Sequence, residues 1–332
     1  MKTILAGDIG GTKTTLGLFS PTQGPRHPLE TETYASAAFN GLAPMVGDFL
    51  VKTGRRVDAA TFGMAGPVKK GRGRLTNLPW DLDEEDLSEK LHIPAVRLMN
   101  DLVAMAGAIP LLSEGEDLIS INTGDAATDG NRAIIAPGTG LGEAFAIKIG
   151  TEFRTLHSEG GHCDFGPRNS LEWELMHYLQ EKNGHVSYES LCSGPGIRNI
   201  YLFLKGKEEH PNGCDLSGWR SQTDDLTPWI VEQALATGEP NGICYKTIEI
   251  FMSILGAEAG NLALKVLATG GVYVGGGIPR RIHHLLSKGA FMSAFIDKGR
   301  FAEFMSLIPV RVILNADAAL FGAAARGLAL IS

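Results

Sequence analysis

Residues 4–19, ILAGDIGGTKTTLGLF, decide the fold. Apolar and β-branched residues alternate with others on both sides of a glycine-rich turn, which predicts a strand, a turn and a second strand in one hairpin. Asp8 interrupts the apolar strand just before Gly10 and Gly11. An ionised carboxylate there is costly unless it is compensated, so it either caps the turn or attracts Mg²⁺, an ion held largely through water beside phosphates. Residues 7–14, GDIGGTKT, end like a P-loop. The likeness fails because Thr12 stands where that motif needs glycine, and a strand follows instead of the helix whose N-terminus would hold phosphate.

The same pattern restarts near residue 118 with LISI and then RAIIAPGTGLGEAFAIKIG (132–150), again strand, glycine loop, strand. Two domains of similar plan, each presenting a glycine loop to a shared cleft, would explain the repeat; any glycine hairpin between apolar strands would also look alike. A third loop, GGGIPR (275–280), follows the strand VYV. Turns without Cβ atoms let backbone N–H groups approach an anion, so the three loops together suggest a long phosphorylated ligand. Singly, each is equally a tight hairpin, and none spells the dinucleotide fingerprint GxGxxG.

Between the loops, AATFGMAGPV (59–68) reads as a buried strand and DEEDLSEKLHI (83–93) as a short helix capped by Asp83. VRLMND (96–101) is a strand running into the helix LVAMAGAI. Asn100 and Asp101 therefore sit at the carboxyl end of a strand, where α/β sheets place ligands. A carboxylate there can take a proton from a hydroxyl nucleophile, and the amide beside it can bond sugar hydroxyls; Asp101 would also serve as the helix N-cap. HSEGGHCDFG (157–166) looks like a metal site, but His157 and His162 lie in a glycine-broken segment and no second ligand cluster follows, so structural zinc is not expected. Glu159 and His162, joined by Glu189, instead offer the directional donors and acceptors that a polyol requires. For Glu189, spacing alone equally allows an exposed carboxylate near a helix start. KKGRGR (69–74) reads as a solvated hairpin tip, and the polar stretch 206–228 as a surface excursion. The apolar run 245–268 carries Glu249, Glu258 and Lys265 and reads as a core helix rather than a membrane span. A further helix is expected from Arg280. The final segment, DAALFGAAARGLAL (317–330), is a small-residue helix whose docking face periodicity does not reveal.

Composition narrows the function classes. With 332 residues, 44% of them hydrophobic, the chain has material for about two globular domains. Thirty-seven acidic against 30 basic side chains give a net charge of −7, which argues against a nucleic-acid reader. Four cysteines (163, 192, 214 and 244) form no dense disulfide framework, as expected of a reducing cytoplasm. The apolar run before Asp8 is too short for a signal peptide, so neither export nor membrane insertion is expected.

Taken in order, AGDIGGTKTTLGLF, FGMAGPV, LTNLPW, LMNDLVAMA, IAPGTGLGEAF, SEGGHCDFGP, SYESLCSGPGI, GGVYVGGGIP and DAALFGAA resemble the bacterial glucokinases over nearly the whole chain. The resemblance implies an α/β, two-lobed, actin-like (ribonuclease H-like) ATPase fold, with mixed sheets flanked by helices and an active-site cleft between lobes. Residues 1–111 with 313–332 would form the smaller domain and 112–312 the larger. It implies ATP-dependent phosphorylation of the glucose 6-hydroxyl, feeding glycolysis, by a cytoplasmic homodimer. By the same likeness Gly7, Asp8, Ile9, Gly10, Gly11 and Thr12 form the first phosphate loop, with Asp8 holding Mg²⁺ through water. Gly138, Thr139 and Gly140 belong to the second loop, which runs to Gly142, and Gly275, Gly276 and Gly277 to the adenosine site. Asp101 is implied as general base, and Asn100, Glu159, His162 and Glu189 as sugar contacts. The related repressor, open-reading-frame and kinase family adds a CxCGxxGC zinc cluster after the histidine segment; here Cys163 stands alone, which favours the zinc-free branch. No DNA-binding helical domain precedes the first strand, so a transcription factor is not expected. A kinase for mannose, fructose or an N-acetylhexosamine stays open, as does a non-catalytic sugar sensor, although a sensor would have no need of a base at Asp101.

Overall fold

The computed structural model describes residues 2–75, 78–207, 225–237, 242–287 and 289–331. Cys214, most of the expected surface excursion, and Thr76 and Asn77 of LTNLPW lie outside them. The first half contains strands β1 (Ile4–Ile9), β2 (Lys13–Phe19), β3 (Glu30–Ala35), β4 (Ala59–Met64), β5 (Val68–Lys69), β6 (Arg72–Arg74), β7 (Asp81–Asp83) and β8 (Val96–Asn100), with helices α1 (Leu42–Thr53), α2 (Glu84–Leu91) and α3 (Asp101–Ala108). The second half contains β9 (Leu118–Ser120), β10 (Arg132–Pro137), β11 (Leu141–Ile149), β12 (Glu152–Ser158), β13 (Val272–Val274) and β14 (Val310–Ile313). Its helices are α4 (Ser170–Asn183), α5 (Gly194–Gly206), α6 (Thr227–Thr237), α7 (Ile243–Val266), α8 (Gly277–Leu286), α9 (Ala290–Ile296), α10 (Ala302–Leu307) and α11 (Ala318–Ile331).

Two mixed sheets carry the molecule, in the orders β3-β2-β1-β4-β8 and β12-β11-β10-β13-β14-β9. Both begin with an antiparallel glycine-loop hairpin, β1-β2 and β10-β11, followed by parallel strands. The shared plan suggested by the two glycine hairpins is therefore present in the sheets, with β9 added at one edge. The inner strands β1, β4 and β10 are buried almost throughout, as strands covered on both faces must be.

The apolar run near 245–268 is α7, packed by α5, α6 and α9. It is long and apolar enough to cross a membrane, yet it is largely buried within the fold. The small-residue helix α11 returns to the first sheet, packing on α3, β1 and β4. Lys70 and Gly71 form the KKGRGR turn, both with left-handed φ (52° and 74°), at an exposed hairpin tip as expected.

Three local expectations change. Asn100 rather than Asp101 caps α3: its Oδ1 accepts from Leu102 N (3.0 Å) and Val103 N (3.3 Å), and Asp101 becomes the first helical residue. Helix α8 starts at Gly277, not Arg280, because Pro279 falls in the first turn, where no intrahelical N–H is needed. The end of the expected surface excursion is not surface, since Thr227 opens α6, is buried, and donates to Gly194 O at 2.7 Å.

Candidate functional site

A cavity of about 380 Å³ opens between the two sheets, within the size range of small-molecule sites. Its walls come from both hairpin systems. Asn100 and Asp101 stand on one side; Gly138, Thr139 and Gly140, with Glu159, His162 and Glu189, stand on the other. Residues scattered over ninety positions of sequence thus converge on one space. The first glycine loop does not line it but lies next to it: a Cβ on Gly63 would contact both Asp101 Cα (3.6 Å) and Gly7 O (3.8 Å). That loop is fixed by Ser36, whose hydroxyl donates to Gly10 O (2.8 Å), and by the Ser36 N–H, which donates to Thr12 O (3.0 Å). Ala65 N donates to Ile9 O.

Asp101 brings a carboxyl of raised proton affinity to the cavity. Burial pushes its carboxyl up to about 6, opposed by hydrogen bonds from the backbone N–H of Leu102 and its own N–H, and assisted by the charge of Glu159. Asn100 beside it is largely committed. Its Oδ1 caps α3 and its Nδ2 donates to Gly66 O at 3.2 Å, which leaves one amide N–H for a ligand.

The histidine segment closes against β11 because Gly160 and Gly161 carry no side chains. A Cβ on Gly161 would lie 2.3 Å from Leu141 O. Glu189 locks that contact: its N–H donates to Gly161 O (2.8 Å), its Oε2 accepts from Leu141 N (2.8 Å), and its Oε1 lies 3.9 Å from His162 Nδ1. Glu189 is therefore not a merely exposed carboxylate, since one oxygen holds the second glycine loop and the other faces His162.

A second cavity of about 390 Å³ shares Gly138 and Thr139 with the first and is walled by Pro195, Val231, Gly277 and Ile278. Of the three glycines of the third loop, Gly277 lines it, with Ile278 and Arg280 from the same loop, whereas Gly276 caps α8 and Gly275 packs against Met105 and Ala136. The second loop thus divides a polar chamber from a more apolar one, as a ligand with a polyanionic middle and a flat apolar end requires.

Asp8 carries the strongest electrostatic signal of the first loop. Burial, then the charges of Asp101 and Asp317, raise its carboxyl to about 7. Asp8, close enough to Asp101 and Asp317 to feel both charges, offers a hard oxygen donor of the kind Mg²⁺ prefers; among the described residues no three carboxyls form a closed ligand set, so the fit is to an ion held largely through water. Asp317 and Glu143 were missed as site residues by sequence reasoning. For Asp317 the signal was available, since it directly precedes the last helix in DAALFGAA; Glu143 is visible in GLGEAF only once the strand is known to run along the cavity floor.

The sequence profile of the Glucokinase family matches residues 5–329. The glucokinase of Trichormus variabilis is 40% identical over 98% of this chain and 98% of its own length. That of Synechocystis is 41% identical over 96% of each. Among solved structures, a glucokinase from an Antarctic psychrotroph superposes with a TM-score of 0.82 at 29% identity, covering 98% of this chain and 99% of its own. A glucokinase of the repressor, open-reading-frame and kinase family from Streptomyces griseus superposes at 0.67 and 20% identity, which speaks to the shared actin-like ATPase fold alone. With the family profile spanning nearly every residue and relatives matching end to end, the chain belongs to the glucokinase family.

Proposed function

We propose that the protein phosphorylates D-glucose at its 6-hydroxyl, with ATP as donor and Mg²⁺ as cofactor. The observation that carries this reading is the raised carboxyl of Asp101 in one cavity with Glu159, His162, Glu189 and the second glycine loop. Glucose sits between the sheets, bonded by the free amide N–H of Asn100 and by Glu159, His162 and Glu189. Asp101 accepts the 6-hydroxyl proton as that oxygen bonds to the γ-phosphorus and the bond to the β–γ bridging oxygen breaks. Backbone N–H groups of residues 7–12 and 138–140 orient the phosphates, and Gly277 with Pro195 and Ile278 holds the adenosine. Asp8, with Asp317 near it, would hold Mg²⁺, which when bound neutralises phosphate charge. Closure of the two sheets on the sugar would exclude water as a competing acceptor. A sugar lacking a matching hydroxyl leaves a buried partner unpaired, at about 1–3 kcal/mol each. On this reading the enzyme works in the cytoplasm as a homodimer, and its product, glucose 6-phosphate, enters glycolysis.

The test is Asp101→Asn. The turnover number should fall by roughly two to four orders of magnitude, as loss of a general base requires, while the glucose KM changes little. Near-normal turnover in that variant would remove Asp101 from the role.

A further inference from the structure

Glu143 has no part in the chemistry above, yet it borders the same cavity. It lies on β11 opposite Ser158 of β12 and is only 1% exposed. A buried carboxyl is costly unless hydrogen-bonded, but Glu143 Oε1 has no hydrogen-bond partner among the described residues. The other oxygen lies directly beneath the sugar-facing turn: a Cβ on Gly160 would stand 2.0 Å from Oε2. Gly160 sits between Glu159 and His162, and its N–H is already spent on Ser158 Oγ at 3.0 Å. Glu143 is thus the seat on which the turn rests, and glycine is required above it.

The groups facing Glu143 decide its charge. Helix α7 presents Glu258, fully buried, whose Oε2 accepts from Asn261 Nδ2 (2.9 Å) and whose Oε1 lies 3.6 Å from Lys265 Nζ. From the α4–α5 connection comes the buried Cys192 thiol, itself pushed well up by burial and by the charges of Glu258 and Glu143. Glu159 and His162 flank Gly160 on the turn. Of the two buried carboxyls, Glu258 therefore has the cation and the amide, and Glu143 has neither. Burial, then the charge of Glu258, raise the Glu143 carboxyl to about 7 against a weaker opposing pull from Lys265.

We propose that Glu143 is a positioning residue for sugar binding: as the neutral acid it seats the 158–162 turn, and its ionisation unseats Glu159 and His162. An ionised Glu143 needs a donor, and the residue packed on its Oε2 is Gly160, whose N–H Ser158 now holds. Taking it would turn the backbone between the two sugar contacts. The proposal rests on the reading of Glu159 and His162 given above.

The experiment is calorimetric titration of the whole protein with glucose from pH 6 to 8.5, with Glu143→Gln and Glu258→Gln in parallel. Wild-type Kd should rise with pH above neutrality, by up to about tenfold per unit. Glu143→Gln should bind as wild type does at pH 6 and lose that rise. Glu258→Gln should move the rise to lower pH, because removing the neighbouring charge lets Glu143 ionise sooner; a variant that merely loosened the fold would not shift a titration. Thermal unfolding gives an independent reading. A carboxyl with a raised folded-state pKa loses stability as pH climbs from the ordinary carboxylate range to about 7, so Glu143→Gln should gain more over wild type at pH 8 than at pH 5. An unchanged pH dependence in Glu143→Gln, or weak binding by it at every pH, would overturn the proposal. Failure of the wild type to bind glucose at any pH would instead overturn the sugar-site reading, and this proposal with it.

Discussion

At the residue scale, function in this chain lies in carboxyls withdrawn from water. Asp101 and Glu143 both have raised proton affinity, and the roles proposed for them are opposite: Asp101 would act ionised, accepting a proton, and Glu143 neutral, holding its turn. The kcat/KM for glucose is therefore expected to be bell-shaped. It should rise about tenfold per pH unit up to roughly 6, where Asp101 ionises, and decline above about 7. Rates measured at saturating Mg·ATP across pH 5 to 9 check this. An acidic limb at the ordinary carboxylate range, near 4, would detach Asp101 from catalysis. The placement of Asp101 at the cavity was legible from sequence because position and residue type agreed, a carboxylate at a strand's carboxyl end. Its neighbour's capping role was not, since Asn and Asp are near-equal caps and only the backbone decides which of two adjacent residues lies outside the helix. Glu143 was illegible for a different reason: its meaning comes from Gly160 and Glu258, seventeen and 115 positions away.

At the scale of elements, the glycine hairpins could be read directly, because β-branched alternation around a glycine turn is a local signal. Both form as expected, β1 on β2 and β10 on β11. The docking of α11 could not be read, because its apolar residues run nearly all round the helix and point to no single face. The structure supplies the answer in Gly322, where a Cβ would stand 1.7 Å from Ala104 O on α3, and in Gly327 against the side chain of Thr61. Helix α3 begins with Asp101, so the contact that lets α11 lie close also fixes the proposed base. Gly322→Ala forces a methyl into backbone atoms, which should cost about 1–3 kcal/mol or more. Chemical denaturation reads this as a lower unfolding midpoint at unchanged slope; an unchanged midpoint would mean that the two helices separate at little cost. Helix α8 starts three residues before Arg280, at Gly277, and a proline in the first turn is compatible with that start.

At the scale of the whole molecule, two sheets of one plan face each other across the cavity. The chain passes from one to the other near residues 111–117 and returns near 314–317. A compact polar cluster ties these crossings together. Asp117, 1% exposed, is bonded by Asn315 Nδ2 (2.6 Å) and Ser113 N (2.9 Å) and paired with Arg26 (2.9 Å) from the first half. Burial alone would raise its carboxyl, but these hydrogen bonds and the Arg26 charge hold it below the ordinary range. The two crossings are thus pinned to each other, and α3 joins the halves again beside the cavity by packing on β11 and β12. Nearly all of this large-scale plan was implied by the resemblance of the motifs. The identity of the pinning residues was not, because Arg26, Asp117 and Asn315 form no local pattern. The central claim, that this fold closes on glucose and transfers a phosphoryl group to it, is tested most directly by ADP release from Mg·ATP. The panel is glucose, mannose, fructose, N-acetylglucosamine, N-acetylmannosamine and no sugar. The account predicts rapid release with glucose, far above the no-sugar control and above the other sugars; equal, negligible rates throughout would contradict it.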